Sequence, residues 1–209
     1  MVKLKICGMR DAGNISQVAS LEPDYMGFIF YEKSKRFVGE LDPASLSEMP
    51  ENIGRVGVFV NHDLKEVVHL AEKFDLNLLQ LHGNESAAYV QELKQLLEGR
   101  DVKLMKAFGI DENFDFTLLN EYETEVDYFL FDTQTPDHGG SGKLFNWELL
   151  NGYTLDKPYF LSGGIGLESV EALQTIDDKR LFAIDVNSKF ETEPGIKDIS
   201  KLKEFKRQL

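Results

Sequence analysis

The sequence predicts a closed (β/α)8 TIM barrel, an α/β fold with an eight-stranded parallel sheet in a single domain over residues 1–209. Three observations predict it. Eight short apolar runs recur along the chain, rich in Val, Ile, Leu, Phe and Tyr, as strands buried on both faces require. Segments with helical spacing or caps alternate with them, which implies parallel strands joined by right-handed crossovers. Polar residues and glycines gather where each run ends, the place a barrel keeps its chemistry.

The strands are expected at residues 2–7, 25–30, 55–60, 77–81, 102–108, 128–132, 159–162 and 181–187. The first helix is expected over 14–21, with Asn14 as its N-cap. A short one follows at 43–48, where Pro43 suits a first turn. The segment 63–74 carries Leu64, Val67, Val68, Leu70 and Ala71 on one helical face. The segment 86–98 does the same with Ala87, Val90, Leu93, Leu96 and Leu97. Helices at 114–120, 147–150, 167–175 and 198–208 complete the set. Eight units in 209 residues leave about 26 each, near the lower end for a closed barrel. The competing architecture, an open doubly wound sheet, usually has five or six strands and would leave two or three units unplaced.

Composition bounds the function. Hydrophobic residues make up 42% and charged residues 28%, ordinary for a soluble globular domain. No apolar run approaches the roughly 18–20 residues that span a bilayer, and the N-terminus alternates like a strand rather than a secretory signal. A net charge of −13 disfavours nucleic acid and anionic membranes as partners. A phosphate site would therefore depend on local backbone N–H groups and one or two basic side chains. The single cysteine, Cys7, excludes an intrachain disulfide and a Cys-rich zinc site, and a lone thiol fits a reducing, cytoplasmic compartment. No motif for a metal, nucleotide or redox cofactor is present; His62, His69 and His138 form no evident metal set with His82.

The strand ends read in order as Cys7-Gly8, Phe30 with Arg36, Asn61, Gln80-Leu81-His82-Gly83, Phe108-Gly109, Asp132-Thr133, Ser162-Gly163-Gly164 and Asn187-Ser188. Side chains alternate along a strand, so Lys3, Lys5 and Cys7 share a face. If Cys7 points into the barrel, Lys5 does too, and a buried lysine needs a partner. Strand 8 closes against strand 1, so Asp185, two residues before Asn187, is the expected partner.

The ordered series Lys5-Ile6-Cys7-Gly8, Gly27-Phe28-Ile29-Phe30, Gly57-Val58-Phe59-Val60-Asn61, Gln80-Leu81-His82-Gly83, Phe131-Asp132-Thr133, Gly139-Gly140-Ser141-Gly142, Ser162-Gly163-Gly164-Ile165, Asp185-Val186-Asn187-Ser188 and Glu193-Pro194-Gly195-Ile196-Lys197-Asp198 resembles the phosphoribosylanthranilate isomerase family along essentially the whole chain. The resemblance implies an Amadori rearrangement of a phosphorylated sugar-amine in tryptophan biosynthesis, without a cofactor. An acid protonates the furanose oxygen and the ring opens to an iminium. A base then takes the C2 proton, giving an enolamine that tautomerises to the ketone.

The resemblance assigns the base to Cys7 and the acid to Asp132. Cys7 must act as thiolate near neutrality, which nearby positive charge would favour. Asp132 must carry a proton when it acts, which burial or a neighbouring anion would favour. Arg36 matches the position that holds the substrate's benzoate carboxylate, a role its fork suits. Gly163, Gly164, Asn187 and Ser188 match the phosphate cup. Lys189 departs from the family, which usually has glycine there; its ammonium either helps the phosphate or distorts the cup. Gln80 and His82 are expected to support the site, and Gly140 and Gly142 to line a lid over residues 133–144. The alternatives are a histidine-pathway aldose–ketose isomerase, which typically uses two aspartates, and a phosphate-binding barrel without catalysis. Monomer and homodimer both remain open.

Overall fold

The computed structural model describes residues 2–134 and 146–209. Eight parallel strands close into a barrel in chain order: β1 Lys3–Ile6, β2 Tyr25–Ile29, β3 Gly54–Phe59, β4 Leu78–Leu81, β5 Lys103–Ile110, β6 Tyr128–Thr133, β7 Tyr159–Leu161 and β8 Leu181–Val186. Each of the eight expected runs overlaps its strand, with β3 starting one residue early, β5 running two residues further and β6 one. Closure is made by β1 against β8, with Lys5 opposite Asp185.

The outer layer contains α1 Ala12–Ala19, α2 Ala44–Ser47, α3 Leu64–Lys73, α4 Ala87–Leu96, α5 Val170–Gln174 and α6 Ile199–Gln208. Side-chain caps set several starts. Asp63 accepts from Lys65 and Glu66, Ser86 from Tyr89, and Asp198 from Ser200 and Lys201. Among the described residues, no helix is long and apolar enough to cross a membrane.

The structure corrects four local expectations. Asp11, not Asn14, caps α1, because its carboxylate accepts from the Asn14 N–H at 2.8 Å. Asn14 lies inside the helix, buried, and its amide clasps the Lys197 backbone from both sides, at 3.0 and 2.7 Å. Pro43 stands at the N-cap position of α2, outside its first turn. Residues 114–120 and 147–150 yield 3-10 turns, Phe116–Glu121 and Trp147–Gly152. Asp115 and Asn146 cap these short segments, and i→i+3 bonds close them. Residues 167–175 begin with a 3-10 turn, Leu167–Ser169, before α5. Beyond β8 a turn, Ser188–Phe190, leads into a small antiparallel pair, β9 Glu191–Glu193 and β10 Ile196–Lys197, which the apolar pattern did not reveal.

Two packed clusters explain the shape. Outward strand residues such as Ile6, Phe28, Leu79, Phe129 and Ile184 pack under the helices. Inside, Val56, Leu78, Met105, Tyr128, Leu130, Phe160 and Ala183 form an apolar plug. On three strands the inward series turns polar towards the C-terminal end: Leu78 gives way to Gln80, Leu130 to Asp132, and Ala183 to Asp185. Period-two alternation thus builds a dry floor and a charged mouth from the same strands.

Candidate active site

A cavity of about 640 Å³ opens at the C-terminal mouth of the barrel. Cys7, Arg36, Gln80, His82, Asp132, Gly163, Gly164, Asn187 and Ser188 all line it, so the structure brings together every described residue nominated from sequence. Gly140 and Gly142, with the lid expected around them, lie outside the described residues.

Cys7 follows β1, and its N–H donates to the Val186 carbonyl at 2.9 Å. Its thiol has room because position 27 carries no side chain: a Cβ there would stand 2.8 Å from Cys7 Sγ and 3.1 Å from its Cα. Beneath it, the Lys5 ammonium donates to Asp185 at 2.8 Å. Both are buried, and the pair spans the barrel's closing seam as β1 parity required. Burial disfavours the Lys5 charge, yet Asp185 and Cys7 outweigh it and hold Lys5 above its ordinary range. Burial pushes Asp185 up, against the pull of Lys5.

The charge expected near Cys7 is present, but its effect is smaller than the reading required. Burial pushes the thiol up; Lys5 and Lys197 pull it down, and burial prevails. Cys7 therefore stands above the ordinary thiol range rather than below it. Desolvation of a buried anion exceeds what two cations restore when Asp185 opposes them.

Across the cavity, Asp132 is buried at the end of β6. Its Oδ1 accepts from the Thr133 N–H at 2.8 Å, and its Oδ2 lies 3.5 Å from His82 Nε2. Gln80 Nε2 sits 2.6 Å from His82 Nδ1, which leaves the hydrogen of a neutral ring on Nε2, facing Asp132. Gln80 and His82 thus form a bracket for the carboxylate. Gly163, at φ +96, lets the loop after β7 pass close to it: a Cβ there would clash with Thr133 Oγ1 and stand 3.0 Å from Asp132 Oδ1.

Arg36 reaches the cavity from the loop after β2. Glu191 grips it, accepting from Nε at 2.9 Å and from Nη2 at 2.7 Å. The same carboxylate accepts from Lys197 at 2.6 Å. Burial opposes the Glu191 charge, but Arg36 and Lys197 outweigh it and hold it below its ordinary range. Burial lowers Lys197, with Glu191 and Cys7 opposing. Glu191 and Lys197 received no role from the sequence. For Lys197 the signal was the quoted series Glu193-Pro194-Gly195-Ile196-Lys197-Asp198, whose Pro194-Gly195 turn folds β10 back on β9.

Lys189 has no left-handed φ, and its ammonium pairs with Glu168 at 3.1 Å.

A closed parallel barrel that gathers a thiol, a buried carboxylate and a pair of glycines at its C-terminal mouth belongs to the (β/α)8-barrel enzymes. The family is more particular. Residues 4–208 match the model of the N-(5'-phosphoribosyl)anthranilate (PRA) isomerase family, and the chain belongs to that family. It is 46% identical over 208 residues to the N-(5'-phosphoribosyl)anthranilate isomerase of Parabacteroides distasonis, covering 99% of this chain and 92% of that one. The crystal structure of phosphoribosyl anthranilate isomerase from Thermotoga maritima superposes with a TM-score of 0.83 at 34% identity, over 100% of this chain and 98% of that one. A phosphoribosyl anthranilate isomerase in complex with reduced 1-(o-carboxyphenylamino)-1-deoxyribulose 5-phosphate gives 0.81 at 32% identity, with 100% and 98% covered.

Proposed function

We propose that Cys7 and Asp132 divide the two proton transfers of the family's reaction. As a member of this family, the chain is an isomerase of tryptophan biosynthesis. It converts N-(5'-phosphoribosyl)anthranilate to 1-(2-carboxyphenylamino)-1-deoxyribulose 5-phosphate. The observation that carries the assignment of roles is that a thiol and a buried carboxylate line one cavity.

Asp132 gives its proton to the furanose oxygen as the C–O bond breaks, and is left as carboxylate. His82, held by Gln80, faces that carboxylate and stabilises the charge it acquires. The Cys7 thiolate takes the C2 proton of the iminium, forming the enolamine. Tautomerisation then gives the ketone, with no net gain or loss of protons. Arg36 takes the benzoate carboxylate; Glu191 holds Nε and Nη2 and leaves Nη1 for it. The phosphate lies against Gly163 and Gly164, opposite Asn187 and Ser188. The complex of the relative with a reduced product supports a phosphorylated ligand in this mouth. The enzyme acts as one barrel domain in the cytoplasm, as monomer or homodimer; a dimeric relative is known from Thermotoga maritima.

The test is steady-state turnover of freshly generated phosphoribosylanthranilate, followed by loss of its fluorescence. Cys7→Ala and Asp132→Asn are run alongside. Loss above spontaneous breakdown, abolished in both variants, establishes the pair. Turnover that survives either substitution overturns that role.

A further inference from the structure

Lys106 and Glu85 are buried ions that the reaction as described does not use. Parity along β5 puts Lys106 on the outward face with Leu104 and Phe108, both packed in the apolar layer under the helices. Its ammonium reaches the loop after β4. There it donates to the Gly83 carbonyl at 2.9 Å and to the Leu81 carbonyl at 3.4 Å, and stands 3.3 Å from Glu85 Oε2. Glu85 takes the complementary groups: Oε2 accepts from the Gly83 N–H at 3.0 Å and Oε1 from the Asn61 N–H at 2.8 Å. Gly83 is therefore held by both of its backbone groups, one on each ion. A Cβ at that position would stand 2.6 Å from Asn61 Oδ1 and 2.8 Å from Glu85 Oε1, so glycine lets the carboxylate come this close.

The residue between the two gripped carbonyls is His82. Its own N–H donates to the Phe59 carbonyl of β3 at 2.8 Å. Its ring meets Gln80 at 2.6 Å and faces Asp132 at 3.5 Å. A buried ion pair is often no more stabilising than apolar side chains of the same size, so stability alone gives a weak reason for burying these two charges. What the pair supplies is direction, because its bonds orient the peptide groups that flank one histidine.

Resting on the reading of His82 as support for the Asp132 carboxylate, we infer that Lys106 and Glu85 are positioning residues that set the His82 ring against it through the Gly83 backbone. Neither side chain lines the cavity that holds Cys7 and Arg36. Their loss is therefore expected in kcat rather than in substrate affinity.

The experiment reads the histidine directly. The chain has four histidines, so ring nitrogen signals of protein labelled with 15N-histidine are few, and His82→Gln identifies the signal of His82. In Lys106→Met, shown folded by circular dichroism, the His82 signal is expected to move while the other three stay. Turnover should fall about ten- to a hundredfold in kcat, with KM within about twofold, as a small misplacement of a supporting group does. Added to His82→Gln, Lys106→Met should cost less than about twofold more in kcat, because the group it acts through is already gone. An unmoved His82 signal, or the full kcat loss repeated in the His82→Gln background, overturns the inference. If Lys106→Met does not fold, Glu85→Gln/Lys106→Met, which removes both charges together, is read in the same way. Failure of both variants to fold overturns it as well, since the pair would then serve the scaffold. Full turnover by His82→Gln sinks the reading of His82 as support for the acid, while a moved signal in Lys106→Met still upholds the positioning of the ring.

Discussion

The floor and the mouth of this barrel are built from the same strands and obey opposite rules. On the floor, Phe160 packs edge-on against Tyr25 and Tyr128, with ring centroids 5.6 and 5.4 Å apart. Val56, Leu78, Met105 and Leu130 fill the rest. A few residues along the same strands stand Lys5, Asp185, Asp132 and Gln80, all buried, with Gln80 Oε1 and one Asp185 oxygen lacking a partner. A floor of that kind gains from each buried methylene. A mouth of this kind loses stability by desolvating charge and holds it only through pairing. The contrast teaches where the molecule can be changed for stability and where for activity.

That separation can be broken by experiment, beginning with the largest effect. Asp132→Asn keeps the shape of the mouth but removes the acid, so kcat is expected to fall about 10²- to 10⁴-fold with the melting temperature little changed. A matching loss of stability would show that the carboxylate is part of the scaffold. The converse change, Phe160→Ala, is expected to cost about 3–5 kcal/mol in denaturant unfolding. The kcat/KM of what remains folded should stay close to that of the parent.

The mouth also predicts its own pH profile. Burial holds the free-enzyme Cys7 thiol above its ordinary range, so thiolate is the minor form near neutrality. If it is the base, kcat/KM should climb as pH rises, about tenfold per unit while the thiol predominates. A flat profile through neutrality would mean that the base is already ionised in the free enzyme. Arg36→Met should raise KM by one to two orders of magnitude, on the order of the roughly 1.5–3 kcal/mol of a charged hydrogen bond, with a smaller effect on kcat. The smallest change is expected at the rim. The Lys189–Glu168 pair is exposed, at 40% and 58% of the side chains, and Lys189→Gly should shift stability by less than about 0.5 kcal/mol. Tighter phosphate binding in that variant would show that Lys189 does hinder the cup.

Much of this was legible in the chain itself. Buried parallel strands are near-continuous apolar runs, so all eight could be placed from composition and length alone. The ends of those runs exposed Cys7, Gln80, His82, Asp132, Gly163 and Asn187 as candidates, because a barrel puts its strand ends at one face. Parity along β1 then demanded a buried partner for Lys5, and barrel closure named Asp185, 180 residues away. These inferences succeed because alternation and closure are properties of the backbone.

Tertiary structure decided the rest. Helix type was one such matter: the helix expected over 114–120 closes as a 3-10 turn, Phe116–Glu121, whereas the one expected over 63–74 forms the α-helix Leu64–Lys73. Another was Asn14, whose cap-like chemistry is spent on Lys197 across the fold. Glu191 gripping Arg36, 155 residues away, has no trace in any local pattern. The standing of Cys7 is the clearest case. Its position came from the strand, but its charge depends on how far burial outweighs Lys5 and Lys197, and desolvation is set by everything packed around an atom rather than by its neighbours in the chain.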